Sequence, residues 1–396
     1  MKLLFLAPRF PYPLEKGDKL RVYYLIRALS VHHEIILCAL TDQVVSKQHR
    51  QELEAFCQAV HVLELSWWRR ILRMIWSPLS SRPFQVHWFY QSKTANQIRK
   101  LIAKENPQQI FCNLIRTSEY VKDMHEIPRT LDYMDALSAG MRKRAQLHRG
   151  PAKWIFNWEG QKLARYEAAV LNYFDHQTII SKADRHLISH PDRKGIHVVP
   201  NGVDLGHFTS ATSPWPMPAD AAGKTILLFT GNMAYAPNVR AAIRLKENIL
   251  PLLKNGNFHL VIAGASPVPA VLQLAGKSVS VTGWLDDIRS AYAIGDLFVA
   301  PLDIGTGLQN KILEAMASGL PCITTPNVAA GLPQPSSDSP PPVVVAEGDR
   351  EWAETIQRLS RDAEGRAMMG RNGQRYVGES ASWSAAAARL STTFVS

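Results

Sequence analysis

The sequence predicts an α/β protein with two doubly wound domains, each built on a parallel sheet. Three observations predict this fold class. The chain has 396 residues, which is longer than most chains that fold around a single hydrophobic core. Short apolar runs alternate with helical patterns, as they do in parallel sheets. The alternation is interrupted at a Pro-Asn-Gly break at residues 200–202 and begins again at residue 224.

The first half contains the pattern of one such domain. The apolar run at residues 2–7 predicts a first strand, and residues 17–30 predict the helix that follows it. The apolar run is too short for the core of a secretory signal, which favours a buried strand. Later strands are predicted in EIILCAL, QIFCNL, RTLDYM and HQTIIS.

The second half repeats the plan. A strand, a glycine turn and a helical pattern follow each other in KTILLFTGNMAYAPNVRAAIRL, and further strands are predicted in FHLVIAGA, SVSVTGWL, DLFVAPL and LPCITT. We therefore expect one domain over residues 1–200 and another over 201–379, with a helix at about 380–396 packing back on the first. Ligands bind at the carboxyl ends of parallel strands, which predicts a site in a cleft between the domains.

The charge of the chain is concentrated in its first half. Residues 1–200 contain 30 Lys and Arg against 18 Asp and Glu, whereas residues 201–396 contain 15 against 16. This asymmetry indicates that the first half meets an anionic partner, either nucleic acid, an acidic substrate or a membrane surface. The four cysteines are far apart and form no CxxC pair, which favours a reducing cytoplasm.

Several cofactor and catalytic motifs are absent from the sequence. No GxGxxG follows either opening strand and there is no Walker A loop, which argues against nicotinamide and P-loop nucleotides. The sequence also lacks HExxH, GxSxG and Asp-x-Asp. His186 and His190 are four residues apart without a third ligand, so a solvated helix face is favoured over a metal site. We expect neither a cofactor nor a metal.

Five motifs of the second half, in this order and spacing, resemble the retaining GT-B glycosyltransferases of family 4. The motifs are VVPNGVD, ILLFTGNM, VTGWLDD, DLFVAPL and GTGLQNKILEAMASGLPCITT. The likeness extends over nearly the whole chain, and within the family it is greatest to sugar transferases of bacterial exopolysaccharide pathways. It implies two Rossmann-like domains facing a cleft, the first binding the acceptor and the second the nucleotide-sugar. It also implies transfer of a hexose to a glycan or lipid-linked acceptor, with retention of configuration and without a metal.

The resemblance assigns the donor to the glycine-rich turn and helix at residues 305–314. Glu314 occupies the place of the glutamate that binds ribose hydroxyls, and a carboxylate can accept from two of them. Lys311 lies in the first helical turn, where free N–H groups suit a diphosphate. The alternative is a surface ion pair between the two. The donor residues expected in this segment are Thr306, Gly307, Leu308, Gln309, Asn310, Lys311 and Glu314.

One position departs from the family pattern. Members often have a second glutamate eight residues before the ribose-binding one, and this chain has Thr306 there. A hydroxyl can bond the sugar but carries no charge. Two alternatives therefore stay open: a nucleotide-sugar 2-epimerase of the same fold, and a non-catalytic subunit that binds sugar nucleotides.

Two more loops are expected at the donor. The resemblance places Gly231 and Asn232 near the donor phosphates, although Gly231 could simply make a turn. It places Gly283, Trp284 and Leu285 beside the base.

In the first half, the resemblance identifies Gly17, in the turn after the first strand, as an acceptor-side residue. Met134 stands where many members have a histidine, and Asp135 matches the aspartate that follows it. A carboxylate there could orient an acceptor hydroxyl or stabilise positive charge at the sugar carbon. We expect Asp135 to be catalytic, with Asp132 as the second candidate.

Residues 67–90 are rich in tryptophan and arginine. This combination suits a lipid headgroup interface, and the positive first half favours an anionic membrane surface. Core packing and nucleic-acid binding are the alternatives, the second without a recognisable binding module. We expect a cytoplasmic protein, peripheral at the inner face of the cell membrane, without a nucleic-acid partner. The residues expected at the membrane are Trp67, Trp68, Arg69, Arg70 and Arg73.

Overall fold

The computed structural model describes residues 1–14, 16–77, 80–254, 257–302, 309–333 and 341–394. The chain divides into two compact units. One is Met1–Pro200 together with the segment that begins at Ala386, and the other is Asn201–Ala385. Each unit contains one parallel sheet with helices in the connections between strands. The predicted α/β class with two doubly wound sheets is confirmed.

The first unit has a sheet of seven strands. They are β1 (Lys2–Ala7), β2 (Glu34–Thr41), β3 (Ala59–Glu64), β4 (Gln109–Asn113), β5 (Arg129–Asp132), β6 (His176–Ile179) and β7 (His197–Val198). Their order is β3-β2-β1-β4-β5-β6-β7, so the winding reverses between β1 and β4. The central strands are almost wholly buried, as their unbroken apolar runs predict. The sequence analysis missed β3, which alternates polar and apolar residues, and β7, which has two residues.

The second unit has a sheet of six strands. They are β8 (Thr225–Thr230), β9 (Phe258–Ala263), β10 (Val279–Gly283), β11 (Leu297–Ala300), β12 (Cys322–Thr324) and β13 (Val344–Val345). Their order is β10-β9-β8-β11-β12-β13, and β8 pairs directly with β11 where the winding reverses. Such a reversal opens a crevice at the carboxyl ends of the strands. The sequence analysis missed the short edge strand β13.

Helices connect the strands of both units. Those that begin before Pro200 are α1 (Gly17–Leu29), α2 (Lys47–Glu54), α3 (Trp67–Trp76), α4 (Phe84–Phe89), α5 (Ser92–Glu105), α6 (Leu137–Leu147), α7 (Gly150–Leu171) and α8 (Lys182–Leu187). The later ones are α9 (Leu205–Thr209), α10 (Ala236–Arg244), α11 (Pro269–Leu272), α12 (Arg289–Tyr292), α13 (Asn310–Ala317), α14 (Pro326–Ala330), α15 (Asp349–Arg361), α16 (Ala363–Tyr376) and α17 (Trp383–Ser391). Within the described ranges, none of these helices is long and apolar enough to cross a bilayer.

The last described residues of the chain pack on the first unit. The ring of Phe394 lies edge-on to His33 with 6.2 Å between centroids. Ser391 Oγ lies 3.4 Å from Nε2 of the same histidine, and Leu390 is fully buried. These contacts explain why the segment from Ala386 onward belongs to the first unit.

Candidate functional site

Several of the predicted donor residues lie where the winding of the second sheet reverses. Gly231 and Asn232 directly follow β8, while α13, which carries Lys311 and Glu314, lies between β11 and β12. Because β8 and β11 are parallel neighbours, their carboxyl ends open on the same edge of the sheet. Residues far apart in the sequence therefore meet there.

Lys311 is half-buried and points towards α10. Its Nζ donates a hydrogen bond of 2.6 Å to Asn238 Oδ1 and lies 5.0 Å from the centre of the Phe229 ring. Burial lowers the pKa of Lys311 to about 8, although the charge of Glu314 acts in the opposite direction. The site thus holds a cation that has lost part of its hydration, which strengthens its interaction with an incoming anion.

Glu314 lies one turn further along α13 and is also half-buried. Its Oε2 accepts a hydrogen bond of 2.9 Å from the Tyr292 hydroxyl, which in turn lies 2.9 Å from Thr230 Oγ1. Burial raises the pKa of the Glu314 carboxyl, while Tyr292 and Lys311 oppose the rise. In the part of the chain that the structure describes, no ion pair joins Lys311 to Glu314. The alternative interpretation, in which the two residues form a surface ion pair, therefore does not hold.

Gly231 and Gly264 allow a close approach of backbone and side chains at this edge. A Cβ on Gly231 would lie 2.9 Å from Lys311 Nζ and 2.6 Å from Asn238 Nδ2. A Cβ on Gly264 would lie 2.0 Å from the Gly231 carbonyl oxygen, and both residues have positive φ. A side chain at either position would displace these groups. Gly231 therefore does more than make a turn.

The other described donor residues lie in three segments of the second unit. Asn232 is exposed, and its Oδ1 accepts from Ala234 N. Gly283 ends β10 and accepts from Gly264 N at 3.1 Å, while Trp284 next to it is 72 % exposed. Leu285 packs against the apolar core. Gln309 immediately precedes α13, Asn310 is its first residue, and both are half-buried. Thr306, Gly307 and Leu308 lie outside the described residues.

Residues 224–362 match the family model described as glycosyl transferases group 1. These residues form a group 1 glycosyltransferase domain. The chain is also 30% identical over 186 residues to the putative glycosyltransferase EpsF of Bacillus subtilis (strain 168). That alignment covers 43% of this chain and 46% of EpsF, less than half of each.

Solved structures of similar fold cover nearly the whole chain. HepE of Anabaena in complex with UDP has a TM-score of 0.64 at 14% identity, over 99% of each chain. A glycosyltransferase from Rickettsia africae has a TM-score of 0.66 at 14% identity, over 99% of this chain and 97% of that one. TarM has a TM-score of 0.65 at 9% identity, over 100% of this chain and 99% of that one. At these identities the likeness shows the fold, and it confirms GT-B.

Four residues around the donor cluster of the glycosyltransferase domain were missed in the sequence. Asn238 and Tyr292 form hydrogen bonds with Lys311 and Glu314. Thr230 lies beside the Tyr292 hydroxyl, and Gly264 lies against the backbone of Gly231. Gly264 had a signal, since it follows the apolar strand FHLVIA. The others had none, because a hydrogen bond between residues 73 apart leaves no local pattern.

In the unit that precedes the glycosyltransferase domain, Asp132 is fully buried. Arg21 donates to both of its carboxylate oxygens, at 2.7 and 3.0 Å. Thr178 Oγ1 donates to Oδ1 at 2.8 Å, and Asn113 Nδ2 donates to Oδ2 at 3.2 Å. Asp132 therefore links α1 to three strands, β4, β5 and β6, and presents no free carboxylate to a ligand.

Asp135, by contrast, is exposed three residues after β5. Its pKa is nevertheless raised, first because surrounding protein atoms remove part of its hydration and then because Asp184 is close, while Arg116 opposes the rise. The preceding Met134 has a left-handed φ of 61° and accepts from Ile180 N, which fixes the turn that carries Asp135.

The sequence analysis gives Gly17 two places, in the turn after the first strand and at the start of the helix over residues 17–30, and the structure agrees with the second. Gly17 is the first residue of α1 and not part of the turn before that helix. A Cβ built on it would meet no atom within 4 Å. Nothing in the protein itself requires a glycine there.

Helix α3 exposes an apolar stripe and buries one predicted surface residue. Trp67 is 68% exposed and Trp68 is 49% exposed, and Ile71 and Leu72 are on the same face. Arg69 and Arg73 are half-buried and stack on the rings of Trp68 and Tyr90, each at 4.9 Å. Arg70 is buried, and its Nη1 donates to Asp42 at 2.7 Å. The prediction that Arg70 faces a membrane is wrong, because this ion pair and the rings of α4 hold it inside.

Across the described ranges, no group of three or more His, Cys, Asp and Glu side chains is arranged to hold a metal ion. His186 Nδ1 lies 2.6 Å from the Lys182 carbonyl oxygen and His190 Nδ1 accepts from Asp192 N, so each has a partner within its own segment.

Proposed function

We propose that this protein is a hexosyltransferase that moves a sugar from a nucleoside diphosphate donor to a glycan or lipid-linked acceptor. We further propose retention of configuration and a place in polysaccharide or glycoconjugate biosynthesis, as in exopolysaccharide pathways. The observation that carries the proposal is the pair Lys311 and Glu314. They lie on one face of α13, each held by a different partner, at the edge of the sheet where ligands bind.

Each part of the donor has a matching group in this cluster. We assign the diphosphate to the Lys311 ammonium and to the backbone at Gly231, which Lys311 Nζ approaches closely because glycine has no side chain. We assign the ribose hydroxyls to Glu314, whose Oε2 is held by Tyr292 while its Oε1 accepts no hydrogen bond from the described residues. The exposed Trp284 and its neighbours Gly283 and Leu285 are assigned to the base. HepE was solved with UDP and with UDP-glucose, which supports UDP-glucose as the first donor to test.

Acceptor-dependent release of free nucleotide is the test that separates this function from its rivals. A transferase releases nucleotide only when an acceptor is present. A nucleotide-sugar 2-epimerase converts its substrate without an acceptor, and a binding subunit releases nothing. Thermal shifts with UDP-, GDP- and dTDP-sugars would identify the donor first, because a ligand of the native state raises its stability. We also propose that transfer needs no divalent metal, so turnover should survive incubation with EDTA.

The pKa of Lys311 predicts how donor binding depends on pH. A Lys311 pKa of about 8 means that the ammonium is charged at pH 7 and is lost as the pH rises through 8. We expect UDP affinity to fall by about fivefold between pH 8 and pH 9, because the charged fraction of Lys311 falls from about a half to about a tenth. Calorimetric titration across pH 7–9.5 measures it. Lys311→Arg keeps its charge over this range and should flatten the profile; a wild-type affinity that is constant to pH 9.5 would contradict the role of Lys311.

We also propose that α3 docks on an anionic membrane, which would make the protein peripheral at the inner face of the cell membrane. Trp67, Trp68, Ile71 and Leu72 supply the apolar face, and Arg69 and Arg73 flank it. The support is the combination of exposed apolar side chains with cations in one short helix.

Reversal of the two arginines tests this docking. Each basic residue contributes about 1 kcal/mol near an anionic surface, so Arg69→Glu/Arg73→Glu should weaken binding at least about thirtyfold. Sedimentation with phosphatidylglycerol vesicles measures it. Arg99→Glu/Arg165→Glu changes the charge equally at exposed positions outside α3 and should bind like the wild type. Equal loss in both variants would show a dependence on net charge alone.

A further inference from the structure

The segment between β5 and α6 is held at both of its ends by one residue of α7, Glu167. At the start of the segment, the Tyr133 hydroxyl donates a hydrogen bond of 2.7 Å to the Glu167 backbone carbonyl. At its end, the Ser138 backbone N–H donates a hydrogen bond of 2.9 Å to Glu167 Oε1. The exposed Asp135 lies between these two contacts. Glu167 therefore helps to set the position of the backbone that carries Asp135.

Both contacts lie inside the protein. Tyr133 and Glu167 are each 1% exposed, and Ser138 is fully buried. Helix α6 begins after Ala136, whose side chain cannot accept a hydrogen bond, so the N–H groups of its first turn need acceptors from elsewhere. Glu167 supplies one of these acceptors, and a carboxylate near a helix N-terminus also interacts favourably with the helix dipole.

Two further hydrogen bonds hold the middle of the segment. Asp135 N donates to the Tyr133 carbonyl and Ile180 N donates to the Met134 carbonyl, each at 2.9 Å. Met134 has a left-handed φ of 61°, a conformation that a residue other than glycine keeps only when surrounding contacts enforce it. The contacts of Glu167 contribute to this restraint, because they fix the chain one residue before Met134 and four residues after it.

The Glu167 carboxyl changes its charge near neutral pH. Its Oε2 is buried and accepts no hydrogen bond from the described residues. Burial raises the pKa of Glu167 to about 7, against the hydrogen bonding of Ser138. The charge of Asp135 raises this pKa further, and the charge of Arg142 on α6 lowers it. Tyr133 also faces the carboxyl, and its own pKa is raised by burial and then by the charge of Glu167.

We propose that Glu167 is a positioning residue whose ionised carboxylate holds the turn that presents Asp135 to the reacting sugar. This inference rests on the proposed transferase function, with Asp135 as its catalytic carboxylate. An ionised acceptor forms a hydrogen bond roughly twice as strong as a neutral one, so the turn is held most firmly when Glu167 is charged. Burial of a charge is unfavourable, and a contact that only satisfied one N–H group would need no more than a neutral acceptor.

The pH dependence of turnover in Glu167→Gln tests the proposal, because the variant keeps a neutral acceptor and removes the titration. We expect wild-type turnover at saturating donor to rise at least about fivefold between pH 6 and pH 8, since the carboxyl ionises as the pH rises through about 7. At pH 8, Glu167→Gln should turn over at least about fivefold more slowly than the wild type. Its UDP affinity should be unchanged and its melting temperature no lower, because a neutral amide is less costly to bury than a charge.

Ionisation of Asp135 would by itself also raise turnover with pH, and the same variant distinguishes the two causes. If Asp135 alone is responsible, Glu167→Gln keeps wild-type turnover at pH 8. The rise then only moves to lower pH, because a neighbouring negative charge has been removed. That result overturns the proposal.

Glu159→Gln is the matched control. Glu159 is a second buried carboxylate of α7, and it accepts hydrogen bonds from Phe84 N and Gln85 N at the start of α4. It therefore has the same chemistry as Glu167 but supports a different helix. Glu159→Gln should keep the wild-type rise in turnover between pH 6 and pH 8. Loss of the rise in both variants would overturn a specific role for Glu167.

Hydrogen exchange tests the positioning without relying on activity. At pH 8, we expect the backbone amides of residues 134–138 to exchange at least about fivefold faster in Glu167→Gln than in the wild type. Glu159→Gln should match the wild type. Unchanged protection of this segment in Glu167→Gln overturns the proposal even if turnover falls.

The two assays together distinguish failure of this inference from failure of the proposed function. If Glu167→Gln lowers turnover but Asp135→Asn does not, Glu167 does not act through Asp135, and the inference fails while the transferase function stands. If residues 134–138 exchange faster in Glu167→Gln but the wild type releases no nucleotide when an acceptor is added, the contact with the turn is confirmed and the proposed function fails.

Discussion

Asp135→Asn is expected to lower turnover at saturating donor by at least about a hundredfold while donor affinity barely changes. The chain has Thr306 where the family that it resembles often has a glutamate, so in the proposed transfer the positive charge that develops at the sugar carbon must be stabilised by another group. Asp135 is the exposed carboxylate after β5, held by a fixed turn. Loss of one oriented electrostatic group costs a factor of this order.

Two further variants make the Asp135 prediction specific. Asp123→Asn removes an exposed carboxylate of the same unit and should keep wild-type turnover. Thr306→Val removes one neutral hydroxyl and should cost much less than Asp135→Asn. Initial rates of nucleotide release measure all three. If Thr306→Val is the more damaging, the catalytic role belongs to the segment before α13 and Asp135 is not catalytic.

Glu314→Gln is expected to weaken nucleotide binding by about ten- to a hundredfold in a folded protein. A charge-assisted hydrogen bond contributes roughly 1.5–3 kcal/mol, and the substitution turns one acceptor oxygen into an amide donor. Burial has already removed part of the hydration of Glu314 in the folded protein. Part of the free-energy cost of desolvating the carboxylate therefore precedes nucleotide binding. Calorimetric titration with UDP measures the loss.

Tyr292→Phe separates ribose binding from the support of the carboxylate. It removes the hydroxyl that holds Glu314 Oε2 and keeps the ring in the core, so we expect a smaller loss than for Glu314→Gln. Glu364→Gln, at an exposed position of α16, should bind UDP like the wild type. Unchanged UDP affinity in Glu314→Gln would show that Glu314 does not bind the ribose.

Lys311 and Glu314 show which features of the candidate site can be predicted from the local sequence. Their spacing places them on one face of a helix, and the glycine-rich segment before them marks a helix start, so their elements and proximity are predictable. Their partners are not. Asn238 is 73 residues from Lys311, and Tyr292 is 22 from Glu314, and only the reversal of strand order between β8 and β11 brings them together.

Arg70 and Asp132 show what composition cannot decide. Both are charged residues of the kind found on surfaces or in active sites, and the sequence analysis placed them there. Arg70 lies inside against Asp42, and Asp132 lies inside against Arg21, which is 111 residues away. A charged side chain can be buried when the fold places an oppositely charged residue from another segment beside it, and the local sequence does not show whether that happens.

By itself, the sequence determined the fold class, because unbroken apolar runs of strand length bury on both faces and demand helices in between. It also determined that α13 carries a cation and a carboxylate on one face. Tertiary structure alone decided which charges remain available to a ligand, which glycines must lack a side chain, and that α3 turns Arg70 inward and its tryptophans outward. These outcomes depend on contacts between segments that are distant in the sequence. Such contacts stabilise the protein only when the sheets have formed and brought those segments together.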